Sequence, residues 1–582
     1  MDKKQVSEIL DEIGTLLELK AENPFKCRAY HNAARIVAAL TKDLASLIET
    51  GELRQVKGIG EGLAEKITEL VTTGKLKYYE QLKSSLPPGL VDMLRIPGLG
   101  PKRIKILFDT LRIETVDQLR EAAEGHRLSR LEGFGEKTEE NILKGIELLR
   151  KHVDKHLYPR ARDAAERVME VIRKQKGIIR SEIAGSLRRR KEIIGDIDVL
   201  VSAKKSDAPA IMKAFASHRD VDEVIAKGDT KSSVRLKSDI DCDLRVVSDD
   251  EFPFALAYFT GSKEHNIEMR SLAKKFGWSL NEYGFSELGA GQKRGKAKRI
   301  VRCEEEDDIF KALKLIPIPP ELRENMGEIE AAQKGNIPRL IEEEDIRGTF
   351  HCHTNYSDGA NTLEEMAKAA QSRGWEYLGI GDHSKAAAYA GGLSVEKAKQ
   401  QNKQIDRLNP HFKKFRLLKG TEVDILPDGT LDWSDKLMAT FDYVVAAVHS
   451  KFKMAESEMT KRIIKGLKNK YVTMLGHPTG RLLLEREAYP VNMIDVINAA
   501  ADYGKAIEIN AHPLRLDLDW RLCKYAKEKG VRLAINPDAH NIDGLGDVSY
   551  GVGIARKGWL VPEDVMNAWQ LDKVTKFFES FH

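Results

Sequence analysis

The stretch AGSLRRRKEIIGDIDVLVS, Ala184 to Ser202, decides how the middle of this 582-residue chain is read. Its second half alternates acidic and apolar residues, the period of a β-strand, so Asp196 and Asp198 point to one face. Two carboxylates held side by side repel, and a divalent cation between them relieves that cost. A later run with the same alternation, DIDCDLRVV at 239–247, supplies Asp243 as a third acid. Three carboxylates on neighbouring strands suit two Mg²⁺ or Mn²⁺ ions, one for an attacking hydroxyl and one for a triphosphate. A lone D-x-D is more often a solvated strand edge. Here Gly185 and Ser186 open the motif and Arg189 follows: close backbone, hydroxyl and guanidinium for phosphate oxygens. The combination predicts nucleotidyl transfer.

Upstream, a pattern recurs three times: VKGIGEGLAEKI (56–67), IPGLGPKRIKIL (96–107) and LEGFGEKTEENIL (131–143). In each, an apolar residue stands between two glycines (Gly58 and Gly60, Gly98 and Gly100, Gly133 and Gly135) and a helix start follows. Glycine lets backbone approach another group, and the helix start presents free N–H donors, so a phosphate is the natural guest. With Lys57, Lys102, Arg103 and Lys137 beside the turns, the repeat predicts helix-hairpin-helix DNA binding.

Downstream, residues 316–340 are proline-bearing and charged, with no sustained apolar period, which predicts a linker. Beyond it, strand-like and helix-like segments alternate in a β/α rhythm. RGTFHCHTNYSDGA (347–360) crowds His351, His353 and Asp358 together. Further ligand types close later strand-like runs: His383, Glu422, His449, His477, Asp538 and His540. A single histidine is more often structural than a ligand, but nine ligand-type residues at successive strand ends converge on one mouth of a β/α barrel. Imidazole with carboxylate suits Mn²⁺, Zn²⁺ or Fe²⁺ better than Mg²⁺. Several ions sharing a carboxylate would acidify a water for attack on a phosphate ester.

Composition bounds these readings. The length implies three or more domains, and 42% hydrophobic with 32% charged residues describes an ordinary globular chain. No run approaches the ~18 apolar residues of a membrane span. The first twenty residues read as an amphipathic helix with acids, unlike a signal peptide. Five scattered cysteines give no disulfide framework, and Cys352 between two candidate ligands fits a reducing compartment. A net charge of +4 neither requires nor excludes nucleic acid.

With these motifs in place, residues 1–315 resemble DNA polymerase family X, the group of DNA polymerase beta. YFTGSKEHNIEMR (258–270) and NEY (281–283) match further signatures of that family. The resemblance puts Tyr258 under the sugar, Gly261 at the nucleotide, Asn266 on the base edge and Arg270 on the template strand. It places Asp243 at the third catalytic carboxylate, with Asp196 and Asp198 as the other two. Lys26 and Tyr30 match residues that bind a 5′-phosphate, and Lys66 matches the Schiff-base lysine of a lyase. Departures are Arg190 for glycine, Ile194 for serine, Asp241 for arginine, and Gly62 and Tyr78 for lysines of the lyase pocket.

Residues 341–575 resemble the PHP domain, a distorted barrel of seven strands with three metals, and all nine of its ligand positions are filled. Arg481 and Lys451 fall near the expected mouth. The fusion resembles the bacterial and archaeal branch of family X, whose PHP domain is a Mn²⁺-dependent 3′–5′ exonuclease that also processes blocked or abasic ends. The expected architecture is multidomain α+β and α/β. It comprises a helical DNA-binding region (1–90), further hairpins (91–154) with a monovalent cation, and a polymerase beta-like palm (155–247). A nucleotide- and template-binding subdomain (248–315), the linker (316–340) and a (β/α)7 PHP barrel (341–575) complete it. The expected partners are gapped or primer–template DNA and deoxynucleoside triphosphates. The expected protein is a cytoplasmic monomer engaged in repair. A competing expectation makes the PHP domain a structural or DNA-positioning module without nuclease activity.

Overall fold

The computed structural model describes residues 1, 3–40, 44–96, 98–151, 154–288 and 300–582. The chain divides into two units, residues 1–153 with 484–486 and residues 154–483 with 487–582.

The first unit is helical. Its core is built from apolar residues at helical spacing, such as Val6, Leu10, Ile13 and Leu17 of the helix Lys3–Leu19. All three glycine repeats fold alike. The first glycine of each is left-handed (Gly58 φ +95°, Gly98 φ +80°, Gly133 φ +82°). The apolar residue between the glycines plugs the core: Ile59, Leu99 and Phe134 are buried. Helices Glu61–Thr73, Pro101–Leu111 and Glu136–Lys151 follow.

The second unit opens on a five-stranded sheet in the order Ile178–Ile183, Asp196–Ala203, Asp241–Val247, Lys231–Leu236, Val221–Lys227. Only its central pair, Asp196–Ala203 with Asp241–Val247, is parallel. Ile197, Val199 and Val201 turn into the core, as alternation requires, and leave the acids on the other face.

The barrel follows. Eight short strands form two parallel sheets, Gly348–Thr349, Tyr377–Gly379, Arg416–Leu418 and then Glu422–Asp424, Val445–Ala447, Met474–Leu475, Ala506–Asn510, Leu533–Asn536. Bridges join His383 to Glu422 and Cys352 to Ala539, which closes the ring. Residues 416–418 and 422–424 are two halves of one interrupted strand, so the ring has the seven staves expected.

The segment 316–340 is not a free linker. Its apolar residues Ile318, Leu322, Ile329 and Leu340 pack in one core with Phe254, Phe310 and Trp559. Its buried acids are paired. Glu321 meets Arg190 (3.6 Å) and Arg556 (2.7 Å), Glu324 meets Arg189 (3.0 Å) and Lys557 (2.8 Å), and Glu328 meets His265 (2.7 Å). Charge read as solvation is here the lining of a buried joint between palm and barrel, because Glu321 and Glu324 each have cations from other elements facing them and Glu328 has the His265 imidazole.

Candidate catalytic centres

The palm centre follows from strand register. Asp198 lies opposite Asp243 and Asp196 opposite Asp241 on the parallel pair. Burial, then the neighbouring charges of Asp196 and Asp243, raises the Asp198 carboxyl to about 6. Partial loss of water around its carboxyl, then Asp243, likewise raises Asp196, although the residue as a whole is exposed. Asp243 is held by Lys231 Nζ (2.6 Å) and accepts from Ser233 Oγ (2.5 Å). Asp241, a departure from the family pattern, is taken by Arg235 in a two-pronged pair (2.7 and 3.0 Å), which turns its charge onto its own neighbour strand. The acid cluster raises its own proton affinity, the property of a site that a divalent cation completes.

Gly185 presses against this cluster. A Cβ there would sit 2.3 Å from Asp198 Oδ2, and its φ of +64° is left-handed. Ser186 beside it is half-buried. Arg189, expected on the triphosphate, is instead turned inward. Its guanidinium donates to Thr260 O and to Glu324 Oε1, which leaves it buried. Arg188 donates to Thr260 Oγ1 (2.7 Å) and pairs with Glu306 (2.8 Å). The two arginines clamp the 185–190 turn to the end of helix Phe252–Thr260. Beyond Gly261 (φ +71°), Asn266 Nδ2 donates to Tyr258 O (2.8 Å) and Arg270 Nε to Asn266 O (3.2 Å). Tyr258, Asn266 and Arg270 thus form one partly exposed row.

At the barrel mouth all nine expected ligand types converge. Glu422 lies at the centre: Oε1 is 3.1 Å from His449 Nε2 and 2.8 Å from His477 Nε2, and Oε2 is 2.7 Å from His383 Nδ1 and 3.5 Å from His351 Nε2. Asp538 Oδ1 is 3.1 Å from His353 Nε2. Asp358 Oδ2 is 3.4 Å from His540 Nε2 and 3.7 Å from His383 Nε2. Ligand atoms within 4.8 Å of one another form three groups among the described residues: His353, Asp358, His383 and His540; His351, His353 and Asp538; His383, Glu422 and His449. His351 Nε2, His353 Nδ1, His383 Nδ1 and Glu422 Oε2 are buried within ion-pair reach of one another or of Asp358, yet none makes a well-formed hydrogen bond. Orphaned buried donors converging this way fit metal ions. Burial, with His540 and His383 nearby, lowers His353 to about 3, so its ring is neutral and fit to ligate. Burial opposes charge on His449 and His540, yet Glu422 with Asp424 raises the first to about 10, and Asp358 with Asp538 raises the second to about 9.

Three buried acids escaped the sequence reading. Glu508, in the middle of strand Ala506–Asn510, accepts from His477 N (2.6 Å) and lies 2.7 Å from His351 Nδ1. Asp424 lies 3.0 Å from His449 Nδ1. Asp382, beside the ligand His383, accepts from Thr354 N, Thr354 Oγ1 and Ser357 Oγ. For Glu508 the signal available was an acid inside an otherwise apolar run (AIEI), where burial is unexplained without a partner. Arg515 Nε stands 3.5 Å from Asp538 Oδ2 and was also missed. Arg481 is spent on Arg515 O, Leu516 O and Asp519, and Lys451 is exposed.

In the first unit, Gly60, Gly98, Gly100, Gly133 and Gly135 have open space where a Cβ would point. Gly60 and Gly100 also have ordinary φ (−74° and −81°), so neither backbone strain nor packing demands glycine there. The bare backbone leaves room for close approach by an outside group. Lys102 is exposed beside the second turn, and Arg103 donates to Gly98 O (3.0 Å). Lys26, Tyr30 and Lys66 gather round Tyr78: the rings of Tyr30 and Tyr78 stack at 6.2 Å, and the lysine Nζ atoms lie 5.9 and 5.3 Å from the Tyr78 centroid.

Known proteins agree with this geometry. Residues 1–76 match the profile of a helix-hairpin-helix domain, 90–147 a SAM-like helix-hairpin-helix tandem, 255–324 the DNA polymerase beta thumb and 349–512 the PHP domain. The barrel part is 29% identical over 246 residues to a protein of Caldanaerobacter subterraneus named a probable phosphatase, covering 39% of this chain and 89% of that one. A Thermoanaerobacter protein of the same description is 30% identical over 234 residues, 37% of this chain and 88% of its own. The Bacillus subtilis protein named DNA polymerase/3′-5′ exonuclease PolX is 40% identical over 582 residues, all of both chains. This chain therefore belongs to the family X DNA polymerases that carry a C-terminal PHP domain.

Proposed function

We propose that the protein is a DNA-directed DNA polymerase with a separate 3′–5′ exonuclease centre, and that it fills short gaps in repair. One observation carries the reading: two clusters of metal-ligand side chains stand on two different scaffolds, one at the palm register Asp198–Asp243 and one around Glu422. Mg²⁺ or Mn²⁺ held by Asp196, Asp198 and Asp243 would supply activation of a primer 3′-hydroxyl and charge neutralisation at the triphosphate. Gly185 admits the backbone close to Asp198, and Ser186 offers a hydroxyl to phosphate. Tyr258, Asn266 and Arg270 line the course of sugar, base and template. Arg188 and Arg189 hold the two halves of this site together.

Ions held by the nine barrel ligands, of the Mn²⁺, Zn²⁺ or Fe²⁺ class and three in number, would supply an acidified water for phosphodiester hydrolysis. The protein keeps His353 neutral, orients His351 through Glu508 and His449 through Asp424, and brings the Arg515 guanidinium to the cluster for the phosphate. The glycine hairpins, with a monovalent cation, grip the DNA backbone on either side of the gap. Lys26 and Tyr30 take the 5′-phosphate. Lys66 faces Tyr78 where the family has a lysine, so we assign this pocket to phosphate binding ahead of Schiff-base chemistry. No helix among the described residues is long and apolar enough to cross a membrane. Work on chromosomal DNA as a cytoplasmic monomer completes the proposal.

The buried joint through Glu321 and Glu324 favours a bracing role for the barrel as well, and the two roles coexist. The test is a 5′-labelled primer in a one-nucleotide gap, with Mn²⁺ and no nucleotides. Shortening from the 3′ end, with little hydrolysis of a free phosphomonoester, supports the nuclease. Extension on adding nucleotides without any shortening leaves the barrel a brace only.

A further inference from the structure

Among the described residues of the 154–582 part, the most exposed large apolar side chain is Tyr389, at 74% of its full accessibility. It stands in the run KAAAYAGG, Lys385 to Gly392, between the ligand His383 and the buried Leu393. The run is a short anchored turn. Leu393 N donates to His383 O (2.8 Å), which closes its base on the ligand itself. Ala386 N donates to Asp432 Oδ2 (2.9 Å), and Ala387 and Ala390 are buried. A Cβ at Gly392 would lie 2.1 Å from Ser384 O, and Gly391 is left-handed (φ +67°) against Ser357 O. Alanine and glycine make the turn tight, and Tyr389 is its one aromatic side chain.

That ring stands beside the ligand cluster. Its centroid is 6.3 Å from the His383 ring, tilted 56°. Folding gains little from so exposed an aromatic. A flat ring beside a phosphate-ester centre has an obvious partner in a nucleobase, since every base offers a π-face and stacking on it is sequence-tolerant.

Resting on the exonuclease reading above, we infer that Tyr389 stacks on the base of the 3′-terminal nucleotide entering the barrel mouth, so that this centre trims base-bearing DNA ends faster than the abasic ends it also accepts, without reading which base they carry. Tyr389 is a specificity contact in this account, and the hydrolytic groups remain the ligands and Arg515.

The experiment crosses the protein ring with the substrate base. Two 5′-labelled single strands are used, one ending in a normal nucleotide and one ending in a tetrahydrofuran residue that lacks the base. kcat/KM for 3′ trimming with Mn²⁺ is measured for wild type, Tyr389→Ala and Tyr389→Phe. Stacking predicts that Tyr389→Ala loses roughly ten- to hundredfold on the base-bearing end and less than twofold on the base-less end, while Tyr389→Phe keeps wild-type rates on both. Equal losses on both ends would make Tyr389 a support of the loop and overturn the inference, as would no loss on either. Primer extension by each variant reports that the chain is folded. If wild type trims neither end, the exonuclease reading itself falls and this inference with it; if wild type trims both and the variants do not discriminate, only the inference falls.

Discussion

Asp196, Asp198 and Asp243 lie on the open face of a pleated sheet, with Asp196 exposed and Asp198 and Asp243 half-buried. Glu422 and the imidazoles of His351, His383, His449 and His477 lie at the closed mouth of a barrel, each nearly or wholly buried. In the palm, burial first and then the neighbouring carboxylates raise Asp196 and Asp198, and the lysine beside Asp243 offsets this only in part. The barrel gathers acids with imidazoles, so the repulsion is traded for internal ion pairs, and Glu422 and Asp538 are held well below the usual carboxylate range although burial opposes this. The difference teaches that the palm centre is poised to accept a cation brought with a triphosphate, whereas the barrel centre must exchange protons for resident ions.

The largest test of that contrast is Gly185→Ala. A methyl group 2.3 Å from Asp198 Oδ2, on a left-handed residue, displaces the carboxylate. Primer extension falls by about a hundredfold or more, and 3′ trimming stays within twofold of wild type. Loss of both activities would show that the palm turn and the barrel act as one site.

Gly185 also marks what the sequence made legible. Its glycine, the D-x-D acids and the nine barrel ligands stand in local patterns, because strand alternation and strand-end placement convert spacing directly into geometry. Segment 316–340 was misread because its prolines and charges look solvated until the cations of other elements are placed against them, and those cations (Arg189, Arg190, Arg556 and Lys557) are far away in sequence. Arg189 was misplaced for the same reason: its acceptors, Thr260 O and Glu324, belong to elements 71 and 135 residues away. Glu508 was missed because an acid inside a strand has no periodic signature, only an unexplained burial.

Glu508→Gln breaks the barrel side. It keeps the shape but removes the charge facing His351 Nδ1, so the Mn²⁺ needed for half-maximal 3′ trimming rises about 10- to 100-fold while extension is unchanged. An unchanged Mn²⁺ requirement would assign Glu508 to packing alone.

Proton release sharpens the comparison further. At pH 7.5, His449 and His540 are protonated without a cation, since they titrate at about 10 and about 9, whereas Asp198, at about 6, is already charged. Because Glu508, Asp538 and Glu422 also raise His351 well above its ordinary value against its burial, calorimetric titration with Mn²⁺ in buffers of different ionisation enthalpy should show release of at least about two protons per chain, lost in His351→Ala with His353→Ala. Release retained in that variant would place the exchanging protons outside the barrel centre.

The smallest effect concerns stability. Asp198 titrates higher in the folded chain than in the unfolded one, so its contribution is fully present at low pH and is lost as pH rises through about 6. Relative to wild type, metal-free Asp198→Asn therefore gains stability between pH 5 and pH 7, by about 1–2 kcal/mol, in thermal melts with chelator. Saturating Mg²⁺ narrows the gap. A constant difference across that range would mean that the acids do not strain the metal-free palm.

The most direct test of two independent centres uses one labelled gapped substrate and three proteins: wild type, Asp243→Ala, and His351→Ala with His353→Ala. The account predicts that Asp243→Ala loses extension by about a thousandfold or more and still trims 3′ ends, and that the double histidine variant does the reverse. Loss of both activities in either folded variant would contradict it.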